Sequence, residues 1–448
     1  MQKKLLSGLF WVLLANLIVK PLWLLGVEVG VQNAVGNEMY GFYFAVFNLS
    51  YIFNILLDLG ITNFNTRNIA QHPQLIGKHL SGILGIKLCL LALYVVVTFS
   101  AGTLLGYGST EFRLLAWLCL AQALNSLILY LRSNFEGLLL FRWDSLFSVL
   151  DRLLMIIICG MLLWGPQLSL FRFNFTIFTF VYAQVAAYAL TALLALVVIG
   201  RKAHLYRLRW DWCFLLVILR KSAPFALLVL LMASYNRLDP ILLRRLAGDA
   251  SAGVYAGAFR LLDALTMVAY LVSVPLLPVF SKLCSPARIS TSGGELAGTV
   301  RLVFWPMMLF ASGSAVVCSL LADPLMRLLY HDGFPPYVPV FRIVVFGFIP
   351  ISLTYIFGTL LTAGGHLRQL NLFAAGTLVL NVAVNLVLIP RLGAVGSAWA
   401  SLTAQSFMAV AQLALAVRLF HLPAATFRMP GINDIKRVIN IIKTPTTT

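Results

Sequence analysis

Charge is scarce in this chain. Asp, Glu, Lys and Arg make up 11% of its 448 residues, 60% are hydrophobic, and mean hydropathy is +0.92. That excludes a water-soluble globule, which needs far more polar surface to stay solvated, and makes lipid the medium. Cysteine is sparse too. The six (Cys89, Cys119, Cys159, Cys213, Cys284 and Cys318) lie far apart, mostly in or beside apolar segments. They make neither a disulfide framework nor a zinc spacing and read as small core hydrophobes. The six histidines are scattered, so no metal site is expected, and no G-x-x-x-x-G-K-[ST] loop occurs, which argues against ATP hydrolysis by this chain. Acidic residues number 15 against 33 Lys and Arg, a formal charge of +18. In so apolar a chain the excess reads as basic loops on the cytoplasmic side, with no nucleic-acid partner.

What the chain does have is long Leu/Val/Ala/Phe blocks without period-2 alternation. Lipid offers no hydrogen-bond partners, so each block must satisfy its own backbone, and the missing alternation selects helices over barrel strands. An all-α membrane protein follows. At about 20 apolar residues per crossing, with breaks at Gly, Pro and charge clusters, the sequence divides into twelve spans. They fall near 6–32, 40–62, 79–105, 112–133, 143–165, 174–199, 222–246, 254–281, 298–329, 338–362, 370–390 and 394–420. The first follows Met1-Gln2-Lys3-Lys4 and is longer than a signal-peptide core, so it is expected to be retained.

Placing the N-terminus inside puts 20 of the 33 Lys and Arg on cytoplasmic connections and ends, against seven outside. The bias orients the protein N-in and C-in. The richest connection, Arg201-Lys202 through Arg220-Lys221, separates two halves: an N-lobe over 1–200, a basic linker over 201–221, a C-lobe over 222–421, and a cytoplasmic tail over 422–448. Between Phe427 and Lys443 the tail alternates apolar and basic residues, as a short interfacial helix or a frayed end. The halves share a pattern: Gly36, Gly41, Tyr43 and Phe47 recur 212 residues later as Gly248, Gly253, Tyr255 and Phe259. Each copy opens the second helix of its half, so the repeats are parallel, related by a pseudo-two-fold axis along the membrane normal.

Several charges fall inside spans, where facing lipid costs about 2.5–3.5 kcal/mol each on insertion scales. Asp58, Asp144 and Arg301 lie near span ends and are expected to snorkel. In Tyr235-Asn236-Arg237-Leu238-Asp239-Pro240, Pro240 removes a backbone donor and predicts a kink. Folding spans seven and eight as a hairpin sets Arg237 level with Asp263, and Asp239 level with Arg260. In the first lobe, Lys20 and Glu28 flank Pro21, and Asp151-Arg152 open the fifth span. Two readings stand: these groups pair only to lock helices, or the arginines bind a phosphate whose release the acids control. Asn381 and Asn385 read as interhelical hydrogen-bonding groups. The runs Asn63 to Asn68 and Arg132 to Asp144 read as solvated inner turns.

Asp58-Leu59-Gly60-Ile61, Thr66-Arg67-Asn68-Ile69-Ala70, Arg237-Leu238-Asp239 leading to Gly253-Val254-Tyr255, and Asn385 through Pro390-Arg391-Leu392-Gly393 to Ala398 resemble, in that order, the polysaccharide-lipid flippases of the multidrug, oligosaccharidyl-lipid and polysaccharide exporter superfamily. The resemblance implies two six-helix lobes in a V with a central cationic cavity. It implies transport by alternating access of a polyprenyl-pyrophosphate-linked O-antigen, capsule or exopolysaccharide unit across a bacterial inner membrane, without enzymatic chemistry. Arg237, Arg260, Lys20 and Arg152 would then face the pyrophosphate, and Asp239, Asp263 and Glu28 would serve gating or coupling to protons or monovalent cations. Membrane lipids and the polysaccharide polymerase and chain-length machinery are the expected neighbours. The alternative within the superfamily is a cation-coupled multidrug exporter.

Overall fold

The computed structural model describes residues 19, 21–62, 65, 66, 69, 76–138, 140–165, 174–201, 212–273, 276–284 and 293–427. Among them the chain is helical, with no strand. A π-helical turn, Leu22–Glu28, follows Pro21 and leads into α1 (Val29–Ile52). Then come α2 (Ile76–Leu104), α3 (Ser109–Gly137), α4 (Phe141–Phe147), α5 (Leu150–Trp164), α6 (Ile177–Gly200), α7 (Trp212–Arg237) and α8 (Asp239–Ser273). They are followed by α9 (Leu276–Leu283), α10 (Gly293–Leu320), α11 (Ala322–Tyr330), α12 (Tyr337–Val344), α13 (Phe348–Ala363), α14 (Leu367–Leu392) and α15 (Ala394–Leu419). Lys20, residues 202–211 of the linker and residues 428–448 of the tail lie outside the described residues.

Among the described residues ten helical segments, rather than twelve, are long and apolar enough to cross a bilayer, and the chain is a multi-pass membrane protein. The difference arises at two glycines. Leu22–Leu57 and Phe225–Ser273 are each continuous on this measure, yet Gly36 (φ 81°, ψ 167°) and Gly248 (φ 85°, ψ 171°) leave the helical region within them. Only glycine adopts this conformation without a Cβ clash. The two angle pairs agree within 4°, and Tyr43–Phe47 and Tyr255–Phe259 both stack at 28°, with centroids 5.7 and 5.5 Å apart. The sequence repeat is therefore a repeat in backbone and packing. The predicted break before Pro240 falls at Leu238, between α7 and α8.

The chain forms two compact units, 1–260 and 261–448, so the division falls inside α8 rather than at the basic linker. In the first, α3 packs on α6, α5 on α6, and α1 on α3 and α7. In the second, α15 packs on α14, α13 and α12. Its buried seam is small, with Ser397, Ala398, Ser401, Ala404 and Ala409 letting helices approach closely in lipid. Asn381 and Asn385 are fully buried, and Asn385 Nδ2 donates to the Asn381 carbonyl of its own helix at 2.9 Å.

The contacts of Asn65, Asp144 and Asp58 in the first unit correct two expectations. Asn65, Ser133 and Asn134 are fully buried rather than solvated: Asn65 Nδ2 donates to Ser133 Oγ at 2.8 Å and to Asn134 Oδ1 at 3.1 Å. Asp144 does not snorkel but accepts from Arg132 Nε at 2.7 Å. Asp58 lies 3.5 Å from the buried Lys87, whose Nζ also donates to Ser126 Oγ at 2.8 Å and the Leu57 carbonyl at 3.1 Å. Removing one member of such a pair strands the groups left behind. Lys87→Met is expected to destabilise the solubilised protein by about 2 kcal/mol, a fall of roughly 5 °C in Tm. Thermal unfolding in detergent measures it, and Asp58→Asn, which keeps an acceptor, should cost less.

Candidate cation and aromatic site

The π-helical turn after Pro21 sets the geometry of the site. In an α-helix, residues five apart face about 140° away from each other; the i→i+5 ladder of a π-helix brings them onto one side. Trp23 and Glu28 are so placed, and Trp23 Nε1 donates to Glu28 Oε1 at 3.0 Å. The other carboxylate oxygen of Glu28 lies 3.5 Å from Arg260 Nε. Arg260, on α8 and only 3% exposed, also places its guanidinium over the Tyr40 ring at 4.6 Å. Arg152 of α5 stands over the Trp23 ring at 5.5 Å and over Tyr188 at 5.7 Å, with its Nε 3.5 Å from Asp151. Arg152, Trp23, Glu28, Arg260 and Tyr40 thus form one chain of contacts deep in the spans. Arg260 lies twelve residues beyond Gly248, about 18 Å along a helix.

The other sequence candidates fall elsewhere. Arg237 stands over the Tyr51 ring at 5.2 Å, at the opposite end of α1 from Glu28. Asp239 is fully buried and accepts from the Tyr255 hydroxyl at 3.0 Å, tying the start of α8 to its own later turns. Asp263 follows Arg260 by three residues on α8, just past the boundary between the two units. The aromatic partners Trp23, Tyr40 and Tyr188 went unread in the sequence. Tyrosine and tryptophan abound in membrane helices, and nothing local separates a cation–π face from a core ring. The described residues hold no group of three His, Cys, Asp or Glu able to bind a metal.

Chemically, Arg152 and Arg260 supply donors for an anion, while Glu28 and Asp151 neutralise them without one. The rings take guanidiniums by cation–π attraction. An entering anion must compete with Glu28 for Arg260.

Residues 5–284 match the family described as polysaccharide biosynthesis protein. No curated protein matches the sequence at a significant level. The fold is similar to an inward-facing multidrug resistance MATE family transporter of the MOP superfamily, with a TM-score of 0.67 and 14% identity over 93% of this chain and 96% of that one. It is similar to the lipid II flippase MurJ in an inward closed conformation, with a TM-score of 0.62 and 13% identity over 98% and 93%. A MOP superfamily transporter from Pyrococcus furiosus aligns with a TM-score of 0.56 and 14% identity over 94% of each chain.

Glu28→Gln removes the carboxylate that lies 3.5 Å from Arg260. The variant is expected to bind inorganic pyrophosphate several-fold more tightly than the parent by calorimetry in detergent. Equal or weaker binding would show that Glu28 does not compete with an anion.

Proposed function

Because the chain belongs to the polysaccharide biosynthesis protein family, we propose that it is a flippase that moves a polyprenyl-pyrophosphate-linked oligosaccharide from the cytoplasmic to the periplasmic leaflet of a bacterial inner membrane by alternating access. The observation that carries the reading is the pair of arginines, Arg152 and Arg260, held deep in the spans against Trp23, Glu28 and Tyr40. Placing cations there is costly, and planar guanidiniums suit the paired oxygens of a pyrophosphate. The N-terminus and tail lie in the cytoplasm, the lobes 1–200 and 222–421 are joined by the basic linker 201–221, and the cargo is an O-antigen, capsule or exopolysaccharide unit. Arg237 and Lys20 extend the phosphate path. The sugar crosses in water while the prenyl tail stays in lipid, and no bond is made or broken. The cargo then passes to the polymerase and chain-length machinery.

Glu28 couples the cycle. Ionised, it holds Arg260; protonated or bound to a monovalent cation, it releases Arg260 to the phosphate. Asp239 and Asp263 are further candidates for the same role. The local charge also argues against an exporter of organic cations, because each carboxylate of the site already lies 3.5 Å from a guanidinium: Glu28 from Arg260 and Asp151 from Arg152.

Arg260→Ala, Arg152→Ala and Arg237→Ala, expressed at parental levels, are expected to cut surface polysaccharide export at least tenfold. Export at the parental rate in all three would refute the phosphate role. In Glu28→Gln, flipping in proteoliposomes should lose its response to an imposed proton or sodium gradient, and an undiminished response would remove Glu28 from coupling.

A further inference from the structure

The two copies of the repeat meet at their own glycines. A methyl group on Gly41 would overlap the carbonyl oxygen of Asp249, and one on Gly253 would overlap the carbonyl oxygen of Asn37. The contacts are reciprocal: 37 corresponds to 249 and 41 to 253 under the 212-residue offset. Each glycine sits one turn past the carbonyl its own helix offers to the other. Backbone touches backbone here, through contacts of the Cα–H to carbonyl kind, which are close but individually weak. Gln32, 1% exposed, adds one stronger tie, with its Nε2 donating to the Gly253 carbonyl at 2.8 Å and to Asn37 Oδ1 at 3.0 Å.

Beside this crossing a charged side chain also straps the second copy to the first. Arg244 of α8 donates from Nε to Asp249 Oδ1 at 2.5 Å and from its terminal nitrogen to Glu111 Oε1 of α3 at 2.9 Å. Its guanidinium lies over the Phe42 ring at 4.8 Å and the Tyr107 ring at 5.7 Å. Glu111 is held in place for this, since its other oxygen accepts from Gly108 N at 3.1 Å. Burial pushes the Tyr107 phenol up to about 12, so it stays neutral. A cavity of about 190 Å³ lined by Tyr107, Glu111, Arg244, Arg245 and Asp249 opens beside the strap and gives water access to it.

We infer that the crossing of Gly41 and Gly253 is a gate, closing the ends of the repeats opposite the basic linker, and that Arg244 is its latch. The inference rests on the sidedness proposed above, which makes this the periplasmic gate. Its parts suit a closure that must also open: a tight fit made of weak contacts, and one ionic strap in reach of water. The Glu28 and Arg260 site lies on the same helices, farther from the outer ends.

The test reads water access below the crossing. Ala256, 2% exposed and one turn beyond Gly253, is replaced by cysteine in a chain whose native cysteines are replaced by serine or alanine. Intact cells are then treated with a membrane-impermeant maleimide. Labelling should be slow in this parent and at least threefold faster on adding Gly41→Ala, which forces the crossing apart, or Arg244→Gln, which unfastens the strap without steric demand. Should Gly41→Ala fail to accumulate, Arg244→Gln decides alone. Parental labelling rates in the variants that accumulate would overturn the gate. Labelling requires no cargo, so a gate that responds in a protein that exports no polysaccharide refutes the flippase reading and leaves the gate standing. Export with unresponsive labelling does the reverse.

Discussion

A guanidinium in the middle of a membrane span needs an anion and a polarisable face, and the first compact unit is arranged around that need. Arg260 finds Glu28 on one side and the Tyr40 ring on the other. Glu28 in turn is held by Trp23 because Pro21 opens a π-helical rather than an α-helical turn. Trp23 then presents its ring to Arg152. Remove the π turn and the indole faces away from the carboxylate, leaving both arginines short of a partner. A local backbone irregularity thus sets the electrostatics of three helices.

The repeat is symmetric in backbone and packing but not in charge. Under the 212-residue offset, Arg260 corresponds to Asn48, Asp263 to Tyr51, Asp239 to Val27 and Arg237 to Leu25. Asn48 is fully buried, and its Nδ2 donates to the Phe44 carbonyl of its own helix at 2.7 Å. The duplicated elements are the glycine break, the glycine contact and the tyrosine–phenylalanine stack. The ionisable groups are not duplicated: Glu28 belongs to the first copy, where its counterpart is Pro240, and Arg260 to the second, so a symmetric scaffold carries an asymmetric site.

Much of this was legible in the sequence, where the physics is local. Apolar runs gave helices, Pro240 gave the break at Leu238, and the spacing of Gly36 and Gly248 gave the repeat. The misreadings came from contacts distant in sequence. Asn65 looked like a solvated turn because Ser133 and Asn134, which bury it, lie nearly seventy residues away. Asp58 and Asp144 looked free to snorkel because neither Lys87 nor Arg132 announces its partner. The same holds for the site: Arg152, Glu28 and Arg260 stood out by their cost in lipid, whereas Trp23, Tyr40 and Tyr188 carry no such cost and gave no signal. The basic linker marked a boundary in charge, while the packing boundary fell inside a continuous helix where composition does not change.

The reciprocal contact at Gly41 and Gly253 has a genetic corollary. Most tight fits between helices join two side chains, so a bulkier residue on one can be accommodated by a smaller one opposite. Here the opposing atoms are main-chain carbonyls, identical whatever amino acid occupies Asn37 or Asp249. No codon change at the facing position can make room. A lineage that loses either glycine has no local suppressor open to it and can recover only by altering how the two helices are spaced along their whole length.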